Sequence, residues 1–304
     1  MALPLRTLAP AKINLGLFVG PTREDGRHEI VSVMQSISLA DELTLQAAPT
    51  GADRDEVICP GVSGENLAAR ALARFRQESG WNAAPVRLHL DKRIPVAAGL
   101  GGGSADAAAA LRLAHAASGL GDEQLLAKLA RELGADVPAQ ILPGRWLATG
   151  AGEQLTELAD PVSDLGVLVL ASSSQLSTAE VYGAADRLGL ARDASSLTER
   201  RSALRMALEL GAALPRDHDL LHNDLQAAAI ELCPAIEQAL EQAREAGAEP
   251  ALVSGSGPTV IGLFARANGP ERARRAAAGL GERDPAPIVA EPVDRNFARV
   301  HRVG

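Results

Sequence analysis

Between Pro95 and Asp106 the chain reads Pro-Val-Ala-Ala-Gly-Leu-Gly-Gly-Gly-Ser-Ala-Asp. Gly99, Gly101, Gly102 and Gly103 free the backbone to take positive φ and to approach a ligand closely. Their amides can turn inward as an anion-binding nest. Leu100 is the one residue with a side chain between Gly99 and Gly103. A helical stretch follows at once, and its free N–H groups and dipole add positive character at the same end. Ser104 can cap that helix or donate to a phosphate. Such a loop supports polyphosphate binding; glycines alone also make a plain surface turn. The pattern is not a Walker A loop, because Gly103 is followed by Ser104 with no lysine between them. Nor is it the dinucleotide fingerprint: the run from Gly99 meets Ser104 where a third glycine belongs, and no early βαβ unit leads to it. A dinucleotide oxidoreductase is thereby disfavoured.

Two further groups draw attention. Only Lys12, Lys92 and Lys128 are lysines, every other long basic side chain being arginine, so Lys12 and Lys92 stand out as compact ammonium groups. Ser254-Gly255-Ser256-Gly257-Pro258-Thr259 lies between two apolar runs. It reads as a hairpin turn, and it can also bring backbone close to a ligand.

These residues need elements to hold them. From Ala11 to Gly20, Ile13, Leu15, Leu17 and Val19 share one face and Lys12, Asn14 and Gly16 the other, which predicts a half-buried strand. Lys12 and Asn14 then project together. Asp25-Gly26 is a turn signal, and strands are predicted over 28–39, 42–47 and 86–90, with a helix over 66–77. Helices over 104–117 and 122–133 follow the glycine loop, then a strand over 145–149. After residue 150 the composition changes. Strands are predicted over 165–170, 251–254, 258–265 and 286–291, with helices near 178–188, 196–210, 221–231, 234–246 and 270–280. Runs of strands and packed helices make an α+β chain with a boundary near 150–160.

Composition narrows the classes. With 304 residues and 46% hydrophobic content, the chain is long enough for two domains and a sizeable core. A net charge of -8 disfavours nucleic acid as a partner. Cys59 and Cys233 lie far apart and form neither a metal-ligand spacing nor a disulfide framework. The longest strongly apolar run, Leu165–Ala171, is far shorter than the ~20 residues of a membrane span. The first residues carry no signal-peptide pattern. A cytoplasmic protein without a membrane partner is expected. Aromatics are few: four Phe, two Trp and one Tyr, leaving little to stack on a flat ligand.

Three segments now fall in order: Pro-Ala-Lys12-Ile-Asn14-Leu-Gly near the N-terminus, the glycine loop in the middle, and Ser-Gly255-Ser256-Gly-Pro-Thr near the C-terminus. Together they resemble the signature of the GHMP kinase superfamily. Asp-Gly-Arg27-His28-Glu-Ile, Leu133-Gly-Ala-Asp136-Val-Pro and His222-Asn-Asp-Leu-Gln226 resemble one branch of it. That branch phosphorylates the 2-hydroxyl of a cytidine diphosphate-linked methylerythritol in the non-mevalonate isoprenoid pathway.

The resemblance implies a two-domain fold, with residues 1–155 binding ATP, residues 156–304 binding substrate, and the active site in the cleft between them. It implies Asp136 as catalytic base and Lys12 as its partner. It places Asn66, Lys92, Pro95, Gly99, Leu100, Gly101, Gly102, Gly103 and Ser104 at ATP, and Asn14, Arg27, His28, Tyr182, Gly255 and Ser256 at the substrate. Mg²⁺ is expected with the ATP phosphates. No side chain stands out as its ligand, Asp106 being a weak candidate. A monomer or weak homodimer is expected. By residue type alone, Asp136 also reads as a helix cap, Lys12 as a surface lysine and His28 as a structural histidine. The branch usually carries Tyr before the histidine, to stack on cytosine; here Arg27 stands there, and Tyr182 aligns with a second aromatic. A kinase of another small alcohol, homoserine or mevalonate-like, and a non-catalytic relative remain open.

Overall fold

The alternation of apolar and polar residues around Ile13–Val19 extends well beyond its clearest stretch. In the computed structural model, which describes residues 3–62, 64–161, 164–265 and 267–303, β1 runs Leu5–Thr22 and β2 runs His28–Ala47. The two strands predicted at 28–39 and 42–47 are therefore one. Ala40 and Asp41 are both buried and stay in the ladder opposite Pro10 and Ala9, so no turn separates them.

β3 (Glu56–Ile58), α1 (Leu67–Ser79) and β4 (Val86–Asp91) follow. Asn66 caps α1 by accepting from the Ala68 and Ala69 amides at 2.9 and 3.3 Å. α2 (Gly102–Ser118), α3 (Glu123–Leu133), α4 (Val137–Ile141), β5 (Arg145–Thr149) and β6 (Gln154–Leu158) complete the first half. The second half contains β7 (Gly166–Leu170), α5 (Thr178–Arg187), α6 (Ala194–Leu208), α7 (Gln226–Leu232) and α8 (Ala235–Glu245). It ends with β8 (Ala251–Val253), β9 (Val260–Phe264), α9 (Gly269–Gly279), β10 (Ile288–Ala290) and β11 (His301–Arg302).

Among the described residues the larger sheet has seven strands. Its path is β11-β1-β2-β4-β3, and β5 and β6 branch from the first part of β2. Only β3 against β4 is parallel there. The smaller sheet is antiparallel, in the order β10-β7-β9-β8. β6 passes through residue 155, the position where the chain was expected to divide.

Among the described residues, three large apolar clusters hold these layers, and a small fourth joins Met34, Ala139 and Ala148. One packs α1, α2 and α3 on the large sheet through Leu72, Phe75, Leu111 and Leu129. Six alanines of α2, Ala105, Ala107–Ala110 and Ala114, are buried, and their small side chains let this helix lie close against its neighbours. A second cluster joins Ile13, Val33 and Ile37 to Val167, Ile261 and Leu263, so the two sheets share one core. The third packs α5, α7 and α8 on the small sheet. No helix among the described residues is long and apolar enough to cross a membrane.

One predicted helix is shortened. The stretch 221–231 is helical only from Gln226, because Leu221–Leu225 is drawn out along β1: Leu17 N–H donates to His222 O at 2.8 Å, and Asp224 N–H to Leu17 O at 2.9 Å. Tertiary pairing there overrides the helical spacing.

Candidate active site

The glycine loop is fixed at both ends before any ligand is considered. On its N-terminal side the buried Asp41 accepts from the Arg93 and Ile94 amides at 2.6 and 2.8 Å. In its middle, Leu100 O accepts from Lys12 N–H at 2.9 Å, just past a register shift between β1 and β2. Gly101 takes the left-handed region at φ +69° and is the N-cap of α2, with no side chain capping the helix. Of the two readings for Ser104, cap or phosphate donor, the cap is excluded: Gly101 takes the left-handed N-cap position, which suits glycine, and Ser104 lies inside the first turn. The residues of this first turn lie on the cavity wall without a side-chain cap, and a Cβ built on Gly103 meets nothing within 4 Å. Free amides, a helix dipole and open space fit a polyphosphate.

Gly99 and Gly255 show how closely two loops interlock. A Cβ on Gly99, at φ +75°, falls 2.4 Å from Ser254 O and 2.9 Å from Gly257 O. A Cβ on Gly255 falls 3.2 Å from Lys12 Nζ and 3.4 Å from Asn14 Oδ1. The hairpin between β8 and β9 thus packs directly on the glycine loop and on the β1 lysine. Thr178 Oγ1 and Ser256 Oγ, 3.0 Å apart, join α5 to the same hairpin.

Lys12 and Asn14 project together, as their spacing on β1 requires. Lys12 is buried and donates through Nζ to Asn14 Oδ1 at 2.9 Å; Asn14 Nδ2 donates to Ser32 Oγ at 2.7 Å. Asp136 precedes α4, yet its side chain makes no capping bond there. Its Oδ2 lies 3.4 Å from Lys12 Nζ. Arg112 steadies α4 from the other end, donating to Gln140 O at 2.6 Å and to Leu8 O on β1 at 2.8 Å.

These groups line one cavity of about 490 Å³. Lys12, Asn14, Asn66, Lys92, Pro95, Gly99–Ser104, Asp136, Tyr182, Gly255 and Ser256 all reach its wall. Lys92 is clamped between two carboxylates, Asp41 and, at 2.6 Å, Asp106. Burial alone would lower its pKa, but Asp106 and Asp41 outweigh it and hold the ammonium above its ordinary range. Burial pushes the Asp106 carboxyl up to about 7, opposed by Lys92 and reinforced by Asp41. Burial likewise pushes the Tyr182 phenol up to about 12, with a contribution from the Asp136 carboxylate.

Residues 66–144 match the GHMP kinases N terminal domain, and residues 202–283 match the GHMP kinases C terminal domain. A 4-diphosphocytidyl-2-C-methyl-D-erythritol kinase of Nocardioides sp. is 43% identical over 286 residues, 90% of this chain and 91% of the relative. One of Anaeromyxobacter dehalogenans is 43% identical over 267 residues, 86% of this chain and 80% of the relative. The chain belongs to the 4-diphosphocytidyl-2-C-methyl-D-erythritol kinases, within the GHMP kinase family. The crystal structure of a 4-(cytidine 5'-diphospho)-2C-methyl-D-erythritol kinase superposes with a TM-score of 0.75 at 35% identity, over 95% of this chain and 99% of that one. A homoserine kinase from Cytophaga hutchinsonii reaches the same TM-score at 17% identity, over 99% and 98% of the two chains, which is a likeness of fold. The architecture is the two-domain α+β fold of GHMP kinases.

In this kinase two of the candidate residues lie off the cavity wall. Arg27 is exposed and turned back on its own hairpin, its guanidinium donating to Asp25 Oδ2 at 2.7 Å. His28 is buried behind Tyr182, the two ring centroids 5.1 Å apart, and its Nε2 lies 2.8 Å from Asp186 Oδ1. The wall also includes groups that the spacing did not single out, among them Cys59 and Thr178. Asp41, behind Lys92, gave no signal either: in sequence it is one of two adjacent acidic residues, Asp41 and Glu42, between two predicted strands, and only the fold brings it to the loop.

Proposed function

We propose that this kinase transfers the terminal phosphoryl group of ATP to the 2-hydroxyl of 4-diphosphocytidyl-2-C-methyl-D-erythritol. One observation carries the reading: Asp136 Oδ2 lies 3.4 Å from Lys12 Nζ, in the same cavity as an uncapped helix N-terminus behind a glycine loop.

An alcohol is a poor nucleophile near neutral pH. Asp136 accepts the hydroxyl proton as the new bond to phosphorus forms. Its carboxylate is one-third exposed and not occupied in capping, so it can take and release that proton. Lys12 holds the carboxylate in place and offers positive charge where negative charge develops. Asn14 fixes the Lys12 ammonium. The amides of Gly102 and Gly103, with Ser104 and Lys92, would hold the phosphates.

ATP supplies the phosphoryl group when bound, and Mg²⁺ offsets the phosphate charge. Among the described residues no group of three or more His, Cys, Asp or Glu side chains could hold a metal ion. The cation would therefore be held mostly by phosphate and water, with Asp106, whose buried Oδ1 has no partner, as the nearby protein oxygen. Tyr182, backed by His28, offers a ring to the cytosine, and Gly255 and Ser256 close over the substrate. Residues 1–155 would form the ATP side and 156–304 the substrate side, a division that falls inside β6 and leaves β11 in the large sheet.

The test is ADP release from Mg-ATP with a panel of small alcohols. Turnover is expected with the diphosphocytidyl alcohol and not with homoserine or mevalonate. Absence of turnover with the diphosphocytidyl alcohol sinks the reading.

A further inference from the structure

We infer that Asn223 is a positioning residue that holds the Gly255 hairpin over Lys12; this rests on the kinase reading above. The side chain is buried and its amide is fully engaged. Nδ2 donates to both Val253 O and Gly255 O at 2.8 Å, and Oδ1 accepts from Leu225 N–H at 2.9 Å.

The neighbours of Asn223 are anchored to β1, the strand that carries Lys12 and Asn14. His222 O and the Asp224 amide pair with Leu17. Asp224 Oδ2 accepts from Val19 N–H at 2.9 Å, and Arg192 donates to both Asp224 oxygens at 2.7 Å. On the opposite side, Gly255 packs on Lys12 Nζ, Asn14 Oδ1 and Gly99 O. A single amide therefore links the lysine's own strand to the loop lying on that lysine. Thr178 ties Ser256 to α5 and Ser254 Oγ donates to Gly99 O at 3.4 Å, but Gly255 has no side chain of its own, and its carbonyl is held by Asn223. A shift of even 1 Å at such a contact reaches the reacting groups.

Asn223→Asp tests this, because it keeps the size and the Oδ1 acceptor but turns an oxygen toward two carbonyl oxygens. Gln226→Ala is the structural comparison: its Oε1 accepts from Val253 N–H at 3.1 Å, on β8, one residue short of the 254–257 turn. Asn223→Asp is expected to lower kcat about 10- to 100-fold with KM for ATP nearly unchanged. It is also expected to speed amide hydrogen exchange in a peptide spanning 254–257. Gln226→Ala is expected to lower Tm while kcat stays near wild type. Wild-type kcat in Asn223→Asp, or unchanged exchange over 254–257, overturns the positioning role. Equal kcat losses in the two variants at equal loss of Tm do so as well. Should Asn223→Asp not fold, Asn223→Ser is judged by the same criteria. If the wild type fails to phosphorylate the diphosphocytidyl alcohol, the kinase reading falls, and the exchange comparison still decides whether Asn223 holds the hairpin.

Discussion

Lys12 Nζ lies 3.4 Å from Asp136 Oδ2, and the two side chains differ sharply in exposure, 8% against 34%. The ammonium is mostly covered, beside Asn14 and the Gly255 hairpin, while the carboxylate is the more open of the two on the cavity wall. The fixed charge and the reachable oxygen are thus separate parts of one device.

Removing the charge of Asp136 tests the base role directly. Asp136→Asn is expected to lower kcat by about 10²- to 10⁴-fold, the range for loss of a general base. Nucleotide affinity, read by calorimetry, should change little, because the phosphate loop is untouched. An unchanged kcat would remove Asp136 from the mechanism.

Tyr182→Ala is expected to raise KM for the cytidylyl substrate far more than KM for ATP. The ring lies against His28, and neither residue belongs to the glycine loop. Equal effects on both KM values would refute the stacking role.

The two glycines Gly99 and Gly103 should respond differently to alanine. Gly99→Ala forces a Cβ to within 2.4 Å of Ser254 O at a positive φ. It should cost at least about 1–3 kcal/mol of stability, seen as a fall in denaturation midpoint. Gly103→Ala meets open space, so it should fold as the wild type does and weaken ATP binding alone. Wild-type ATP affinity in Gly103→Ala would place the phosphates elsewhere.

Asp106 gives the fold a pH dependence of definite sign. Its carboxyl rises from 3.8 to about 7 on folding, so between those values the folded chain holds a proton that the unfolded chain has released. The stability from this group is fully present below 3.8 and is lost as pH rises through about 7. Lys92, raised above 10.5, titrates outside that window. Asp106→Asn should therefore flatten the decline of Tm between pH 4 and 8. Parallel Tm profiles for variant and wild type would show that Asp106 carries no such proton.

The parts of the site that depend on local spacing were legible in the sequence. The glycine loop is one contiguous segment, and the period of two placed Lys12 and Asn14 on one face. Contacts between distant segments were not legible. Asp136 reads equally well as a cap, and only the packing of α4 against β1 brings it to Lys12. β3, β6 and β11 escaped notice because each is five residues or fewer and lacks an alternating pattern of useful length. Residues 221–225 carry helical spacing but are claimed by β1. Arg27 occupies the place of a stacking ring in sequence, yet Asp25, two residues away, captures its guanidinium.

The chain contains one tyrosine, and the fold puts it on the cavity wall. Biosynthetic replacement with a fluorinated tyrosine would therefore yield a single ¹⁹F resonance, already assigned and already at the site. The enzyme carries its own reporter: ligand arrival and ring flips against His28 could be followed in solution without removing a competing signal.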